Sequence, residues 1–382
     1  MLRKIIAVLL ASSMLLMCSP SVFADEEGEI LPTDPIDTVI ESLDVYNYGG
    51  VYVENGQAYI SAVNVESLSR VLSTKLSKNR SVDLQIAENT VKYSYGELLD
   101  AQEKIVQSME SENEYAIYET YIGQKDNVLG VGSPEWTDDK KQEVSKLSGI
   151  DTEHISFYIM TEEDVEKEFF PEEINEEVDS TTERATTLTP KPGDKLVCNS
   201  KAFSLCTPVV WGQGTAQKGG FITCAHTEDK TGQAIKDANG NIIGCGSVWE
   251  YGGYYDFTLV ERASNNVKGS FVLPDGKKIQ ASKAPIEGET ICRYGQHHPT
   301  PVSGTVIKTD VKVKHTGTGV VITGFKTDAP IVAGDSGGPI MTNSSTGKYV
   351  LVGLNSTVNF GTYIRNILSN YNAKLSSVFP DK

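Results

Sequence analysis

Three side chains that could together carry out nucleophilic catalysis stand in separate parts of the 382-residue sequence. Ser336 lies in the run Gly-Asp-Ser-Gly-Gly-Pro, His226 ends the run Gly-Phe-Ile-Thr-Cys-Ala-His, and Asp256 begins the run Asp-Phe-Thr-Leu-Val. A serine hydroxyl is a weak nucleophile, so it needs a base that removes its proton and a third group that orients the base. These residue types predict acyl transfer, with Ser336 as nucleophile, His226 as general base and Asp256 as the orienting carboxylate.

The glycines beside Ser336 meet a second need of this chemistry. Negative charge develops on the substrate oxygen and must be met by hydrogen-bond donors. Glycine lets the backbone turn so that N–H groups point at that oxygen, and we expect the donors to be Gly334 and Ser336. Taken singly, the three segments also fit a glycine-rich turn, a structural histidine and a strand-capping aspartate. Their occurrence together favours catalysis.

The residues after Leu196 form short runs rich in Val, Ile, Thr and Tyr, separated by Gly, Asn and Asp. This pattern predicts that the half is all-β, either a sandwich or a barrel. Each of the three candidate catalytic residues would lie at the end of a strand. One amphipathic helix, around residues 363–375, is predicted to close it. The predicted strands are residues 221–223, 256–260, 269–273, 290–294, 304–307, 319–323 and 349–354.

The sequence pattern of residues 25–161, which precede this half, predicts an α+β module. Its pattern indicates a hairpin at 49–62 with an Asn55-Gly56 turn, and a flexible lead-in at 25–40. Residues 162–189 are acidic and then rich in Thr and Pro, which predicts a linker and processing region. The remaining predicted elements are helices at 65–76, 95–109 and 137–147 and strands at 127–132 and 154–160.

Charge is divided unevenly along the chain. The formal net charge is −17, which argues against generic nucleic-acid binding. Residues 25–185 hold 37 acidic and 12 basic side chains, whereas residues 186–382 hold 14 acidic and 20 basic ones. The two parts could attract each other, or the acidic part could simply be well solvated, and charge alone leaves both interpretations open.

The first 24 residues predict a signal peptide. Arg3-Lys4 precedes an apolar run too short to span a bilayer, and Val22-Phe23-Ala24 suits cleavage before Asp25. No later stretch reaches 18 apolar residues, so we expect a secreted protein with no stable membrane insertion. With Cys18 removed, Cys198, Cys206, Cys224, Cys245 and Cys292 remain. None is spaced as Cys-x-x-Cys, so we expect no zinc site. The predicted acyl-transfer mechanism implies no metal or cofactor.

These motifs carry a resemblance over residues 190–382. Residues 223–227 (TCAHT), 256–260 (DFTLV) and 334–338 (GDSGG) resemble the corresponding segments of trypsin/chymotrypsin-like serine proteases, specifically the bacterial streptogrisin and α-lytic protease branch. The resemblance implies two perpendicular β-barrels with a C-terminal helix and the site in the cleft between them. It also implies that Ser356 hydrogen-bonds the triad aspartate.

The resemblance extends to an arginine. Cys292-Arg293-Tyr294-Gly295 is similar to a segment whose arginine pairs with the aspartate before the nucleophile, here Asp335. A buried carboxylate needs such a partner to stay ionised, although Arg293 could instead be a surface residue.

The family's disulfides do not transfer, because Thr227 stands where a cysteine would follow the histidine and Ser303 replaces the usual partner of Cys292. Pairs Cys206–Cys224 or Cys198–Cys206 stay open, with Cys292 the candidate free thiol.

The resemblance places the primary pocket between two segments, whose residues are Pro330, Ile331, Val332, Ala333, Thr357 and Val358. None is charged, and Val358 stands where relatives with open pockets have glycine. We therefore expect small or medium apolar residues before the cut bond. Asp328 lies near this wall but outside the matched segment, and we expect it to be an exposed loop residue.

The N-terminal module is loosely similar to the propeptides of this branch. That implies a chaperone and inhibitor of its own protease, which suits a double barrel of non-local contacts that folds slowly. An independent adhesion or substrate-binding domain is the alternative. The leading hypothesis is a secreted serine endopeptidase made as a zymogen and acting on proteins or peptides. A non-catalytic protease-like binding protein and an esterase on the same fold are the other two.

Overall fold

A computed structural model describes the chain in two parts, an N-terminal module (residues 30–169) and a C-terminal half (residues 187–382). The predicted signal peptide, residues 1–24, and residues 170–186 of the predicted processing region lie outside the described residues. No helix in the described part of the chain is both long and apolar enough to cross a membrane. The described residues are 30–77, 82–111, 114–169, 187–226, 231–252, 255–315, 319–343 and 349–382.

The N-terminal module combines helices with strands, as predicted: three strands form a small sheet of their own and three extend a sheet of the C-terminal half. Asn55 and Gly56 join β1 (Gly50–Glu54) to β2 (Gln57–Ala62) with φ of 51° and 79°, so the expected Asn-Gly hairpin is confirmed. Its helices are α1 (Pro35–Glu41), α2 (Val65–Leu76), α3 (Tyr95–Glu110), α4 (Asp138–Ser148) and α5 (Glu162–Phe169). Its strands are β1 (Gly50–Glu54), β2 (Gln57–Ala62), β3 (Leu84–Thr90), β4 (Glu119–Gly123), β5 (Val128–Ser133) and β6 (Ile155–Ile159).

Local signals explain where the predicted helices begin and end. Ser94 and Glu97 form a reciprocal capping box at the start of α3, which satisfies two backbone N–H groups that have no partner within the helix. The Thr137 side chain accepts the Lys140 N–H at the start of α4. Gly149 ends α4 in the left-handed conformation, with φ of 80°. These helices are confirmed to within one or two residues of their predicted bounds.

Two segments are more ordered than the sequence indicates. Residues 30–41 fall largely in the expected flexible lead-in, yet Leu31 is buried in the C-terminal core and its N–H donates to the Leu375 carbonyl at 3.1 Å. The expectation of a flexible segment is wrong there, because the C-terminal half supplies an apolar site for Leu31. The first part of the predicted linker forms α5, whose Val165 is 1% exposed.

The first sheet of the C-terminal half closes into a six-stranded barrel. Strands pair in the order β9-β10-β13-β12-β11-β7-β8, with β21 on the outer edge of β9. Because β8 continues through residues 205–206 into β9, one bent segment pairs with β7 at one end and β10 at the other. The strands are β7 (Lys195–Cys198), β8 (Lys201–Ser204), β9 (Thr207–Trp211), β10 (Lys218–Thr223), β11 (Ala234–Asp237), β12 (Ile242–Gly252), β13 (Tyr255–Arg262) and β21 (Lys374–Leu375).

The second sheet closes into another barrel. Its order is β15-β18-β19-β20-β17-β16, and β16 pairs back with β15, while β14 joins β19. The C-terminal helix, α6 (Ile364–Asn370), follows directly and is shorter than predicted. The strands are β14 (Ile279–Ser282), β15 (Thr290–Arg293), β16 (Val302–Lys314), β17 (Val321–Thr327), β18 (Pro339–Asn343), β19 (Tyr349–Asn355) and β20 (Phe360–Tyr363).

The two parts of the molecule share one sheet and several ion pairs. Strand β4 of the N-terminal module pairs antiparallel with β16, so β4, β5 and β6 extend the second barrel sheet. Acidic residues of the module meet basic residues of the C-terminal half. These contacts favour attraction between the two parts over independent solvation. The ion pairs are Glu119 with Lys308 and Lys326, Glu103 with Lys312, and Asp37 and Glu41 with Arg365.

The described cysteines carry thiols and form no disulfides, which corrects both pairings left open by the sequence. Cys206 lies in the barrel core with its Sγ 3.9 Å from the Gly353 carbonyl, and burial strongly raises its pKa. The Cys198 thiol donates to Oε1 of Gln233 at 3.3 Å. Each of these two thiols is therefore directed at an oxygen.

Candidate active site

The three predicted catalytic residues meet where the two barrels adjoin. His226 follows β10 and Asp256 is the second residue of β13, and these strands are paired neighbours in the first barrel. The pairing of Thr223 with Thr258 brings the end of β10 beside the start of β13. Ser336 lies in the turn between β17 and β18 of the second barrel. The site therefore needs both barrels to form.

A buried carboxylate orients the histidine. Nδ1 of His226 lies 2.7 Å from Oδ2 of Asp256, whose side chain is 1% exposed. The backbone N–H groups of Ala225 and His226 donate to Oδ1 at 2.8 and 3.0 Å, and the Ser356 hydroxyl donates to Oδ2. A carboxylate oxygen only accepts, so Nδ1 carries a proton and a neutral imidazole keeps its lone pair on Nε2. That is the tautomer a general base requires.

The surroundings of Asp256 keep it ionised. Burial raises its pKa, but attraction to the imidazolium form of His226 and the hydrogen bonds from His226, Ser356 and Ala225 outweigh burial and hold the pKa below its ordinary value. Ser356 thus contacts the carboxylate that orients His226.

Ser336 is buried and its hydroxyl is bonded to a backbone carbonyl. Its Oγ donates to the Ser356 carbonyl at 3.3 Å, and among the described residues it makes no hydrogen bond to His226. Ser356 thus contacts two members of the candidate triad, through its hydroxyl and its carbonyl.

The turn around Ser336 presents two backbone donors. Gly334 has a φ of 89°, a conformation that favours glycine. The Gly334 carbonyl accepts from the Ser204 hydroxyl at 2.9 Å, and the Ser336 carbonyl accepts from the Ser204 N–H at 2.7 Å. With both carbonyls held from one side, the N–H groups of Gly334 and Ser336 have no acceptor among the described residues. They are available to a developing oxyanion.

Asp335 is buried and bound to a histidine, not to Arg293. Its carboxylate accepts the His297 N–H at 2.9 Å and is paired with Nδ1 of His298. The expected Arg293–Asp335 ion pair is therefore wrong. Sequence reasoning missed His298, although the adjacent histidines of the Gly-Gln-His-His run, five residues beyond Arg293, were a visible signal.

Arg293 instead binds the loops that form the expected pocket. Its guanidinium is fully buried, and burial lowers its pKa to about 9, partly offset by the nearby charge of Asp335. The geometry of its acceptors explains the missing ion pair, because each nitrogen already donates elsewhere. The acceptors are the side chains of Asn355 and Thr327 and the carbonyls of Ala329, Thr357, Val358 and Phe360.

The predicted pocket segments come together directly. The Ile331 N–H donates to the Val358 carbonyl at 3.1 Å, and Ile331 and Thr357 are buried. Val332 is 47% exposed, Pro330 is exposed, and Ala333 and Val358 are half-buried.

The Asp328 carboxylate is bonded to a strand and not to either pocket segment among the described residues. It accepts the Thr305 N–H of β16, and Asp328 is exposed, as expected. No group of three or more His, Cys, Asp or Glu side chains in the described part of the chain is placed to hold a metal ion.

No protein-family model and no curated protein matches this chain. Solved structures do match. Over about half its length, the chain is similar to chymotrypsin-like serine proteases. Protease A of Thermobifida fusca is 21% identical with a TM-score of 0.39, over 49% of this chain and 98% of that protein. A chymotrypsin of Cellulomonas bogoriensis is 20% identical with a TM-score of 0.40, over 50% of this chain and 100% of that protein. A serine protease specific for glutamic acid is 19% identical with a TM-score of 0.40, over 48% of this chain and 99% of that protein.

Proposed function

We propose that the protein is a serine endopeptidase that hydrolyses peptide bonds through an acyl-enzyme. The observation that carries this proposal is the buried Asp256 carboxylate holding Nδ1 of His226 at 2.7 Å. Beside it, the serine turn offers two N–H groups that have no acceptor in the described part of the chain. Ser336 attacks the scissile carbonyl carbon while Nε2 of His226 takes its proton. The N–H groups of Gly334 and Ser336 hold the oxyanion.

The remaining steps use the same groups. The tetrahedral intermediate collapses, and His226 returns its proton to the leaving amine. Water then attacks the acyl-enzyme with His226 again as base, which releases the second product and regenerates Ser336. The hydrogen bond from the Ser336 hydroxyl to the Ser356 carbonyl, with none to His226 among the described residues, supports synthesis as a zymogen.

We further propose that the chain is exported and matures by proteolysis. Residues 1–24 would be the signal peptide, 25–161 the propeptide-like domain, 162–189 the processing region and 190–382 the protease domain. The packing of α5 supports inhibition by the attached module, because Val165 shares a cluster with Tyr251. The Tyr251 ring centre is 6.5 Å from that of His226. The module thus packs against a residue that lies beside the candidate triad. Its β4–β16 pairing supports a role in assembling the second barrel.

One experiment tests both proposals. The protein secreted by an expression host is treated with a fluorophosphonate, which reacts with activated serines, and is analysed by intact and peptide mass spectrometry. We expect a single adduct on Ser336, carried by a species whose N-terminus lies between residues 162 and 190. An adduct on another serine would contradict the catalytic assignment. Labelled protein with residues 25–161 still covalently attached would contradict maturation by cleavage.

Substrate preference is predicted to depend on Val358. We propose an uncharged pocket that accepts small or medium apolar side chains, such as Ala or Val, before the cut bond. The substitution Val358→Gly should raise cleavage after Phe and Leu relative to Ala by about 10-fold or more, because methylene-sized changes in such a pocket are worth about 1–3 kcal/mol. The measurement is a peptide-library cleavage profile.

The exposed Val378 provides the matched control, since Val378→Gly should leave that profile unchanged. An unaltered profile in Val358→Gly would remove Val358 from the pocket wall. Dominant cleavage after Arg or Lys would contradict the uncharged pocket itself.

A further inference from the structure

His298 holds the one carboxylate that stands between the two candidate oxyanion donors. Asp335 separates Gly334 from Ser336 in the chain and is fully buried. Oδ1 of Asp335 accepts the His297 N–H at 2.9 Å, and Oδ2 accepts the Val332 N–H at 3.3 Å and is paired with Nδ1 of His298. His298 is the only side chain bound to this carboxylate among the described residues.

The other charged group near Asp335 is committed elsewhere. Arg293 donates to both pocket segments and makes no hydrogen bond to Asp335 among the described residues. A buried carboxylate that loses a hydrogen-bond donor is costly to keep in place, so it shifts or recruits water. A shift of Asp335 would move the peptide groups on either side of it. The Asp335–Ser336 group carries the Ser336 N–H, and the Gly334–Asp335 group is attached to the residue that carries the other donor, the Gly334 N–H.

The loop that carries His298 is itself tightly held. The Gln296 N–H donates to the Ser204 hydroxyl at 2.9 Å, and Gly295 and His298 exchange backbone hydrogen bonds of 3.3 and 3.1 Å. Ser204 also donates to the Gly334 carbonyl. The imidazole is thus anchored on the framework that fixes the far side of the serine turn, so its Nδ1 acts from a defined position.

We propose that His298 is a positioning residue for the oxyanion donors, and that it takes the place the resemblance assigns to Arg293. This inference rests on the proposed peptidase function. His298 acts through Asp335 and touches no reacting atom. Its loss should therefore weaken stabilisation of the tetrahedral intermediate and leave binding of the substrate ground state largely intact.

Two amide variants separate this role from a general structural one. The side-chain nitrogen of His298→Asn reaches the position of Nδ1, whereas that of His298→Gln reaches the position of Nε2, and both are uncharged. Each is expressed as the full chain beside the wild type. The measurements are kcat and KM on a chromogenic peptide, the inhibition constant of a peptide boronic acid, and the thermal unfolding midpoint.

We expect His298→Gln to lower kcat by about 100-fold, as when one oxyanion donor is lost, with KM changed less than about 3-fold. Boronic acid binding, which mimics the tetrahedral intermediate, should weaken by a comparable factor. His298→Asn should stay within about 5-fold of the wild type in both measurements. The difference in kcat and in boronic acid binding between these two amide variants would then follow from the position of the side-chain nitrogen.

Several results would overturn the proposal. One is a His298→Gln enzyme with wild-type kcat and a lowered unfolding midpoint, which would make His298 structural only. If His298→Gln does not fold, the proposal still requires near-wild-type turnover from His298→Asn. A folded His298→Asn enzyme that loses about 100-fold in kcat would contradict it. Should Ser336→Ala remain active, the proposed function itself fails, which is a separate result.

Discussion

Replacing Ser336 with alanine should lower turnover by roughly 10⁴-fold or more and leave the fold intact. The substitution removes the attacking oxygen, so no acyl-enzyme can form. Residual hydrolysis would come from the donors of Gly334 and Ser336, whose backbone the change does not touch. The cost to stability should be small, because among the described residues the hydroxyl makes one hydrogen bond, to the Ser356 carbonyl at 3.3 Å. The measurement is kcat on a chromogenic peptide, together with thermal unfolding.

His226→Ala should have an effect of similar size, and the double variant should be little worse than either single one. When catalytic groups act as one unit, removing any one of them already abolishes their joint contribution, so a second removal costs little more. Ser264, an exposed serine of the same half, provides the control, and Ser264→Ala should stay within about twofold of the wild type. Full activity in the Ser336→Ala protein would show that another residue is the nucleophile.

Changing Glu119 to glutamine should lower the free energy of unfolding of the full chain by about 3–5 kcal/mol. Glu119 lies on β4 with a fully buried side chain, where it pairs with Lys326 and lies 3.5 Å from Lys308. Its Oε1 also accepts the Tyr158 hydroxyl at 2.8 Å. Both lysines belong to the second barrel, so the substitution leaves cationic groups facing an uncharged amide in a buried contact between the two parts of the molecule.

The measurement is urea unfolding in the Ser336→Ala background, which prevents self-cleavage during the experiment. Glu66→Gln is the matched control, because Glu66 pairs with Arg70 on an exposed helix face, where both side chains are more than three-quarters exposed. That change should cost no more than about 1 kcal/mol. Equal losses in the two variants would mean that the Glu119 contact contributes nothing special to docking of the module. A selective loss would support a role of the module in holding the second barrel together.

The sequence was most informative where structure depends on neighbouring residues. Asn55-Gly56 has the backbone freedom of a tight hairpin turn, and the hairpin lies where it was predicted. Ser94 with Glu97 and Thr137 with Gly149 mark helix ends through contacts made within a few residues. The grouping of His226 with Asp256 was also predictable, because each lies beside the end of one of two paired strands and the chemistry of a serine nucleophile limits which side chains can assist it.

The tertiary structure decided the partners that are distant in the chain. Arg293 and His298 could both have paired with Asp335, and the choice depends on carbonyls more than 30 residues beyond Arg293 that only the folded barrel brings to the guanidinium. The cysteine pairings failed for the same reason, since spacing along a sequence does not say where two Sγ atoms point.

The ordered conformation of residues 30–41 likewise depends on distant residues, because Leu31 packs into the hydrophobic core of the C-terminal half. Local preferences can be deduced from a sequence because they act over a turn or two, whereas competition among distant partners is resolved only when the whole chain is packed.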